Sequence, residues 1–238
     1  MAGVRIDRIL SKSGYGSRKD VKKLVQERRV TVKGVVVTDS GMKAEAEDVL
    51  VDGKSVLYEE FIYVVMNKPQ GVISSTEKGR TRTVIDLLPP ELQKYEPFPV
   101  GRLDIDTEGF LLITNDGPLA HELLSPKKHV DKTYYAKISG VVTEEDIGKF
   151  REGLDIGEDK LTLPAKLEIL SVQGEMSEIL VTICEGKFHQ VKRMFQAVGK
   201  EVVFLKRISM GNMHLPENLE PGEFIKVDLD YVQNAQKN

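Results

Sequence analysis

The residues with the clearest chemical potential lie in a nine-residue stretch, GRLDIDTEG, from Gly101 to Gly109. It places a carboxylate, Asp104, two residues after a guanidinium, Arg102, between bounding glycines. In extended chain, neighbours i and i+1 diverge while i and i+2 share a side. Arg102 and Asp104 would then face one surface, with Leu103 anchored opposite. A carboxylate held beside a cation can attack a substrate or stabilise developing positive charge. The same two residues can also be a surface salt bridge, worth about 0–1 kcal/mol. Asp106 and Glu108 are rival carboxylates. Asp104 and Asp106, on one side of a strand, could approach the roughly 5–9 Å separation of a glycosidase carboxyl pair.

The elements that must position these groups can be read from apolar spacing. FIYVVM (61–66) reads as a buried strand, ended by Asn67, Lys68 and Pro69. Further strands are expected at 110–114, 132–138, 165–170, 178–183, 202–208 and 223–229. PLAHELL (118–124) starts a helix with Pro118 at its first position. Thr143, with Asp146 three residues on, opens another through Phe150. Val191, Met194, Phe195 and Val198 form an i, i+3, i+4, i+7 stripe, which Gly199 ends. Many strands, few helices and no βαβ alternation argue for an α+β fold with a mainly antiparallel sheet.

Charge is distributed unevenly along the 238 residues. The whole chain carries −3, yet residues 1–34 hold ten Lys/Arg against three acids, or +7, which leaves −10 on the other 204. The basic set is Arg5, Arg8, Lys12, Arg18, Lys19, Lys22, Lys23, Arg28, Arg29 and Lys33. Ile6, Ile9 and Leu10 outline a first helix that Gly14 ends. Ser17 caps a second, with Asp20 completing a variant capping box. Val21, Leu24 and Val25 supply its apolar stripe, and lysines and arginines the other face. Short strands flank Lys33-Gly34, and Asp52-Gly53 is a strong type I′ hairpin signal. A charge run is usually a solvated face. Here the cations gather at both helix starts, where backbone N–H groups and cations suit phosphate oxygens. The expectation is an RNA-binding module over residues 1–58 and a larger domain over 61–238, with the boundary at Tyr58–Glu60.

No stretch approaches the ~20 apolar residues of a membrane span, and the N-terminus lacks a hydrophobic signal core. A cytoplasmic protein is expected. The single cysteine, Cys184, sits in the run ILVTIC as a small core residue and excludes a disulfide framework. His189 has no second histidine or cysteine at ligand spacing, so no metal site is expected.

Several segments resemble one family. GRLD followed by DTEG, then TNDG (114–117), resembles the motif that carries the nucleophilic aspartate of pseudouridine synthases. NKPQGVISS (67–75), LLSPKKHVDKTYYAKISG (123–140) and EGKFHQVKRMFQAVG (185–199) extend the likeness through essentially the whole chain. RIDRILSKSGYGSRKDVKKLVQERRVTVKG resembles the S4 RNA-binding domain over residues 4–50. This order is similar to that of the RsuA-type synthases, which modify ribosomal RNA. LLSPKKHVDKTY and EGKFHQVKRMF most resemble the branch acting on 16S rRNA.

The resemblance implies a mixed sheet with a central cleft and isomerisation of uridine to pseudouridine without a cofactor. It makes Asp104 the catalytic nucleophile and Lys192 the cation that keeps it ionised. Tyr134 becomes the tyrosine that stacks on the target base, where its hydroxyl can assist proton removal at C5. Tyr135, its neighbour, falls on the opposite face of the strand. Arg102 would sit beside the flipped nucleotide, with a structural salt bridge as the alternative. His189 and Arg193 are assigned to RNA contact, a hydrogen-bonded helix residue being the other reading of His189. Asp106 takes a structural role. The implied partner is ribosomal RNA, 16S within an assembling small subunit, met by a monomer. Two alternatives stay open: action on 23S rRNA, or a non-catalytic RNA-binding or ribosome-assembly factor.

Overall fold

In a computed structural model, residues 3–77 and 79–233 are described. The chain packs as two units, Met1–Phe61 with Pro90–Tyr95, and Ile62–Pro89 with Glu96–Asn238. The first unit therefore takes in an excursion, residues 90–95, that a division at 58–61 does not contain. Its aromatic, Tyr95, is buried, with Lys12 Nζ 5.5 Å and Lys94 Nζ 5.3 Å from its ring centre. Cation–π attraction of this kind holds a short segment against a basic surface.

The N-terminal unit comprises β1 (Val4–Arg5), α1 (Ile6–Lys12), α2 (Arg18–Gln26), β2 (Val30–Val32), β3 (Val35–Val36), β4 (Lys43–Ala44), β5 (Val49–Val51) and β6 (Lys54–Ser55). Ile6, Ile9, Leu10, Val21 and Val25 close onto Val30, Val49 and Val51 as one core. Both hairpin turns form as expected, with positive φ at Lys33 and Gly34 and at Asp52 and Gly53. The second helix starts at the expected box. The Asp20 carboxylate accepts from Ser17 N–H at 2.8 Å, and Ser17 Oγ accepts from Asp20 N–H at 3.3 Å.

The larger unit is built on β7 (Tyr63–Lys68), β8 (Phe98–Pro99), β9 (Glu108–Thr114), β10 (Lys132–Ser139), β11 (Lys166–Gln173), β12 (Met176–Ile183), β13 (Glu201–Met210), β14 (Met213–His214) and β15 (Phe224–Val227). The order is β11-β12-β10-β13-β9-β7-β15, with β14 on β13 and β8 on β9. All pairings in it are antiparallel except β13 with β9. The α+β reading with a mainly antiparallel mixed sheet therefore holds. Besides α3 (Pro90–Gln93), the helices are α4 (Gly117–Leu124), α5 (Glu144–Glu152), α6 (Gln190–Ala197) and α7 (Leu229–Gln233). Two cores form: Tyr134, Ala136 and Ile179 pack with Phe150, Met194 and Phe195, while Val65, Phe110 and Leu112 pack with Leu119 and Leu123.

Three local expectations shift. β7 does not end at Met66 but runs on through Asn67 and Lys68, both fully buried. Tertiary hydrogen bonds allow this: Asn67 Nδ2 donates to the Leu219 carbonyl at 2.7 Å. Pro118 falls at the second helical position of α4, because Asp116 is the cap and accepts from Leu119 N–H at 3.1 Å. Asp116 also accepts from the Tyr63 hydroxyl at 2.9 Å, so TNDG works as a buried helix cap. Cys184 is only half-buried and lines a cavity instead of filling the core. Among the described residues, no helix is long and apolar enough to cross a membrane.

Candidate active site

The carboxylate of Asp104 sits on a short loop between two fixed points. On one side, Leu103 is buried, and its backbone N–H and carbonyl both bond the Ser74 hydroxyl, at 3.1 and 3.2 Å. This is the anchoring expected of Leu103. On the other side, β9 begins at Glu108 and pairs in parallel with β13 through Gly109 and Arg207. Gly109 has φ +106°, and a Cβ there would collide with the Arg207 backbone. Only glycine permits that approach, which explains the last residue of DTEG. Gly71 N–H to the Ile105 carbonyl, 2.8 Å, and Thr107 N–H to the Asp104 carbonyl, 3.1 Å, close the turn.

Lys68 supports this loop from below. Its ammonium donates to the carbonyls of Pro69 at 3.0 Å, Asp104 at 3.0 Å and Thr107 at 2.9 Å. All three ammonium protons are used, two of them on the segment that presents Asp104. Burial lowers the Lys68 pKa to about 8, against the raising effect of Asp104, Asp106 and Glu108. Sequence reasoning missed Lys68, since a lysine after an apolar run reads as the end of a strand.

Lys192 arrives on α6. It lies 3.2 Å from Asp104 Oδ2 and 2.6 Å from Asp106 Oδ1. The expected partnership with Asp104 is present, and Asp106 shares the cation at the shorter distance. Burial works to lower the Lys192 pKa, but its hydrogen bonds to Asp106 and Asp104 prevail and raise it. The hydrogen bond from Lys192 holds the Asp106 carboxyl below the ordinary carboxylate range. Lys192 is thus a fixed positive charge, and Asp106 helps to hold it beside Asp104. Arg102 makes no ion pair among the described residues and is exposed at the rim of the same cavity. The salt-bridge reading of Arg102 with Asp104 is therefore corrected.

The cavity, about 800 Å³, is lined by Asp104, Arg102, Lys192, Tyr134 and Phe188 among others. Tyr134 is buried on the cavity-facing side of β10. Tyr135 faces the other way, edge-on to Phe204 at 6.1 Å. His189 Nε2 stands 3.5 Å from Asp104 Oδ1, and its ring stacks on Phe188 at 3.8 Å and 19°. Phe188 is 73% exposed. A large exposed aromatic at the mouth of a cavity is a stacking surface, and every nucleobase offers a π-face to it. Nothing in the residue spacing singled out Phe188. Phe188→Ala is expected to weaken RNA binding by about 1–3 kcal/mol, the range of one base–aromatic stack; filter-binding titration checks it.

Not every residue assigned to RNA is available for it. Arg193 is only 24% exposed on its side chain, and its guanidinium is committed to Glu158 at 2.7 Å, the Phe188 carbonyl at 3.0 Å and the Ile156 carbonyl. It braces the Phe188 loop instead of facing RNA. In the N-terminal unit, the Ser17 hydroxyl donates to Asp20 at 2.6 Å within the helix cap. Arg5 pairs with Asp7 at 2.7 Å and Arg29 with Asp52 at 2.6 Å. Lys33 lies 3.3 Å from Asp48 and Lys23 3.9 Å from Glu27. Internal carboxylates thus hold cations that sequence counting treats as free. Arg8, Arg18, Lys19, Lys22 and Arg28 are exposed and form no ion pair among the described residues.

Comparison with known proteins gives the family of the two units. The RNA pseudouridylate synthase family matches residues 62–197 and the S4 domain residues 4–50. The chain is 52% identical over 223 residues to the uncharacterized RNA pseudouridine synthase YtzG of Bacillus subtilis, covering 93% of each. It is 41% identical to the ribosomal large subunit pseudouridine synthase B of the same organism, over 85% of this chain and 84% of that one. It is 39% identical to the ribosomal small subunit pseudouridine synthase A of Vibrio cholerae, over 93% and 94%. A solved pseudouridylate synthase superposes with a TM-score of 0.69 at 33% identity, over 98% and 99% of the two chains. An S4 module followed by a mixed sheet with a lysine-paired aspartate in its cavity defines an RNA-modifying isomerase. The chain belongs to the RNA pseudouridine synthase family, in its S4-bearing, RsuA-type form.

Proposed function

We propose that this protein isomerises a specific uridine of 16S ribosomal RNA to pseudouridine, with Asp104 as the nucleophile. The observation that carries the reading is the Asp104–Lys192 ion pair at a cavity whose wall bears Tyr134. The reaction breaks the bond from ribose C1′ to N1, turns the base and joins C5 to C1′; the C5 hydrogen leaves as a proton and N1 takes one up. A carboxylate can add to sugar or base, and the positive charge of Lys192 lies 3.2 Å from it. In this reading Tyr134, which lines the cavity, stacks on the base and its hydroxyl can assist removal of the C5 proton. The target must leave its stack to enter the cavity, at a cost of a few kcal/mol.

Relatives at 41% and 39% identity carry large-subunit and small-subunit names respectively, so overall identity favours neither. The 16S reading rests on LLSPKKHVDKTY and EGKFHQVKRMF. Pseudouridine mapping on 16S and 23S transcripts, each bare and with its ribosomal proteins, tests it. Product confined to 16S is expected; product confined to 23S would replace the small-subunit assignment and leave the chemistry intact.

The cations of α2 give the N-terminal unit its part. Arg18, Lys19 and Lys22 meet backbone phosphates by charge and shape. Replacing all three with alanine is expected to reduce the slope of log affinity against log salt by about 2, at ~0.7–0.9 per phosphate contact. Affinity measured from low to high salt checks this, and an unchanged slope would remove these residues from the interface.

A further inference from the structure

Arg207 is a buried cation that the chemistry above does not use. It is 2% exposed, and its Nε donates to the Phe110 carbonyl at 2.9 Å. Its Nη2 is sealed from solvent and has no hydrogen-bond partner among the described residues. A guanidinium stays charged in proteins, and a buried donor left unmet costs about 1–3 kcal/mol, more on a charged group. An unmet buried donor calls for an explanation, and a catalytic role is one of those such groups have.

Its position indicates the partner. Arg207 stands opposite Tyr134 in the β10–β13 pairing, and both line the cavity that holds Asp104 and Lys192. Lys132, two residues before Tyr134, lines it as well. Burial first, then the charge of Arg207, lowers the Lys132 pKa. Asp104 is already engaged by Lys192. Glu185, the other carboxylate lining this side, accepts from the Leu163 N–H and Gln190 Nε2 at 2.8 Å each and acts on Lys132, so no hydrogen bond among the described residues joins it to Arg207. Arg207 thus keeps a donor with no acceptor among the described residues, on the strand position facing Tyr134.

We propose that Arg207, flanked by Lys132, takes up the negative charge of the uracil ring as it detaches from the sugar. The inference rests on the reaction proposed above. Breaking C1′–N1 leaves the bonding pair on N1, so the base departs as an anion with charge spread onto its two carbonyl oxygens. C1′ is left electron-poor and faces the Asp104 carboxylate. When C5 joins C1′, the pair enters the new carbon–carbon bond; the C5 hydrogen then leaves as a proton, its bonding pair restores the ring, and N1 takes up a proton. No outside oxidant, reductant or co-reactant is needed. The neutral base of the bound substrate carries little of this charge. Arg207 therefore acts mainly in the transition state, where a preset donor in a dry site is most effective.

The test compares full-length wild type with Arg207→Gln and Arg207→Lys under single-turnover conditions. The two substrates are transcripts containing uridine or 5-fluorouridine. Fluorine stabilises the departing anion, so cleavage of the fluorinated nucleotide depends less on a cation. Loss of the original nucleoside is read by nuclease digestion and chromatography. Arg207→Gln is expected to slow cleavage of uridine by about 10²–10³-fold, as for loss of one oxyanion donor. Its deficit with 5-fluorouridine should be smaller by roughly tenfold or more, RNA affinity should stay near wild type, and Arg207→Lys should recover part of the rate. Equal deficits on both substrates, or a variant as fast as wild type, would overturn the inference. If circular dichroism shows that Arg207→Gln fails to fold, Arg207→Lys is read in the same two-substrate comparison. No turnover by wild type on either RNA would overturn the underlying reaction, and with it this role; normal wild-type turnover with equal deficits would overturn the role alone.

Discussion

Asp104→Asn is expected to abolish pseudouridine formation while RNA binding is retained. Asparagine matches the carboxylate in shape but is a poor nucleophile and carries no charge. Loss of a covalent nucleophile costs on the order of 10⁴–10⁶ in turnover. Binding is expected to rest on other groups: the exposed cations of α2, the Phe188 ring and the cavity walls. The loop itself should survive, because its anchors are Ser74, Lys68 and the Gly109–Arg207 approach, none of which uses the Asp104 carboxylate. The readout is pseudouridine in digested substrate RNA, set beside affinity by filter binding. Retained turnover within about tenfold of wild type would remove Asp104 from the chemistry. Lost binding with lost turnover would instead mean that the substitution disturbs the cavity.

Lys68→Met should strike both stability and turnover. Three carbonyls lose their donor, and burying them unmet costs ~1–3 kcal/mol each, so a loss of about 3–9 kcal/mol is expected in denaturant unfolding. Turnover should fall by roughly 10²-fold, since small misplacement of a reacting group costs that much.

In wild type, pH separates the two roles of Lys68. Its folded pKa, about 8, lies below the unfolded value of 10.5. Between those values the unfolded chain binds more protons, so this group's contribution to stability rises with pH. Its cost is full below about pH 8 and gone above about 10.5. Turnover moves the other way. Above about pH 8 the amine keeps two protons for three carbonyls, and the loop that presents Asp104 loosens. Turnover is expected to fall as pH rises through that value while stability holds or grows. The residual activity of Lys68→Met should lack this decline. A variant with wild-type stability and an unchanged pH profile would contradict the role.

Much of the fold could be read locally. The hairpins at Lys33-Gly34 and Asp52-Gly53, the boxes at Ser17 and Thr143 and the stripe of α6 are determined by neighbours within a few residues. Their strands and helices follow. The site was legible in a different way. Asp104 stands out by its flanking residues, but its pairing with Lys192 joins positions 88 apart, and residue types alone do not reveal that; a family resemblance does. The buried cations were illegible. Lys68 and Arg207 look like strand-end or surface residues until the carbonyls of Asp104, Thr107 and Phe110 are in place around them. Conversely, Arg193, Arg5 and Arg29 look like free cations in the sequence and are held by Glu158, Asp7 and Asp52. Formal charge along a chain counts cations without showing which ones tertiary structure has already paired.

The central claim is that this cavity isomerises uridine, and tritium release tests it most directly. Isomerisation must expel the hydrogen on uridine C5, so RNA labelled there reports the reaction whichever carbon Asp104 attacks first. Purified full-length protein should release tritium from C5-labelled 16S RNA, alone or with small-subunit proteins, up to one site per molecule. Tight binding with no release from 16S or 23S RNA in either form would contradict the account and leave a binding or assembly factor that has kept the family's fold.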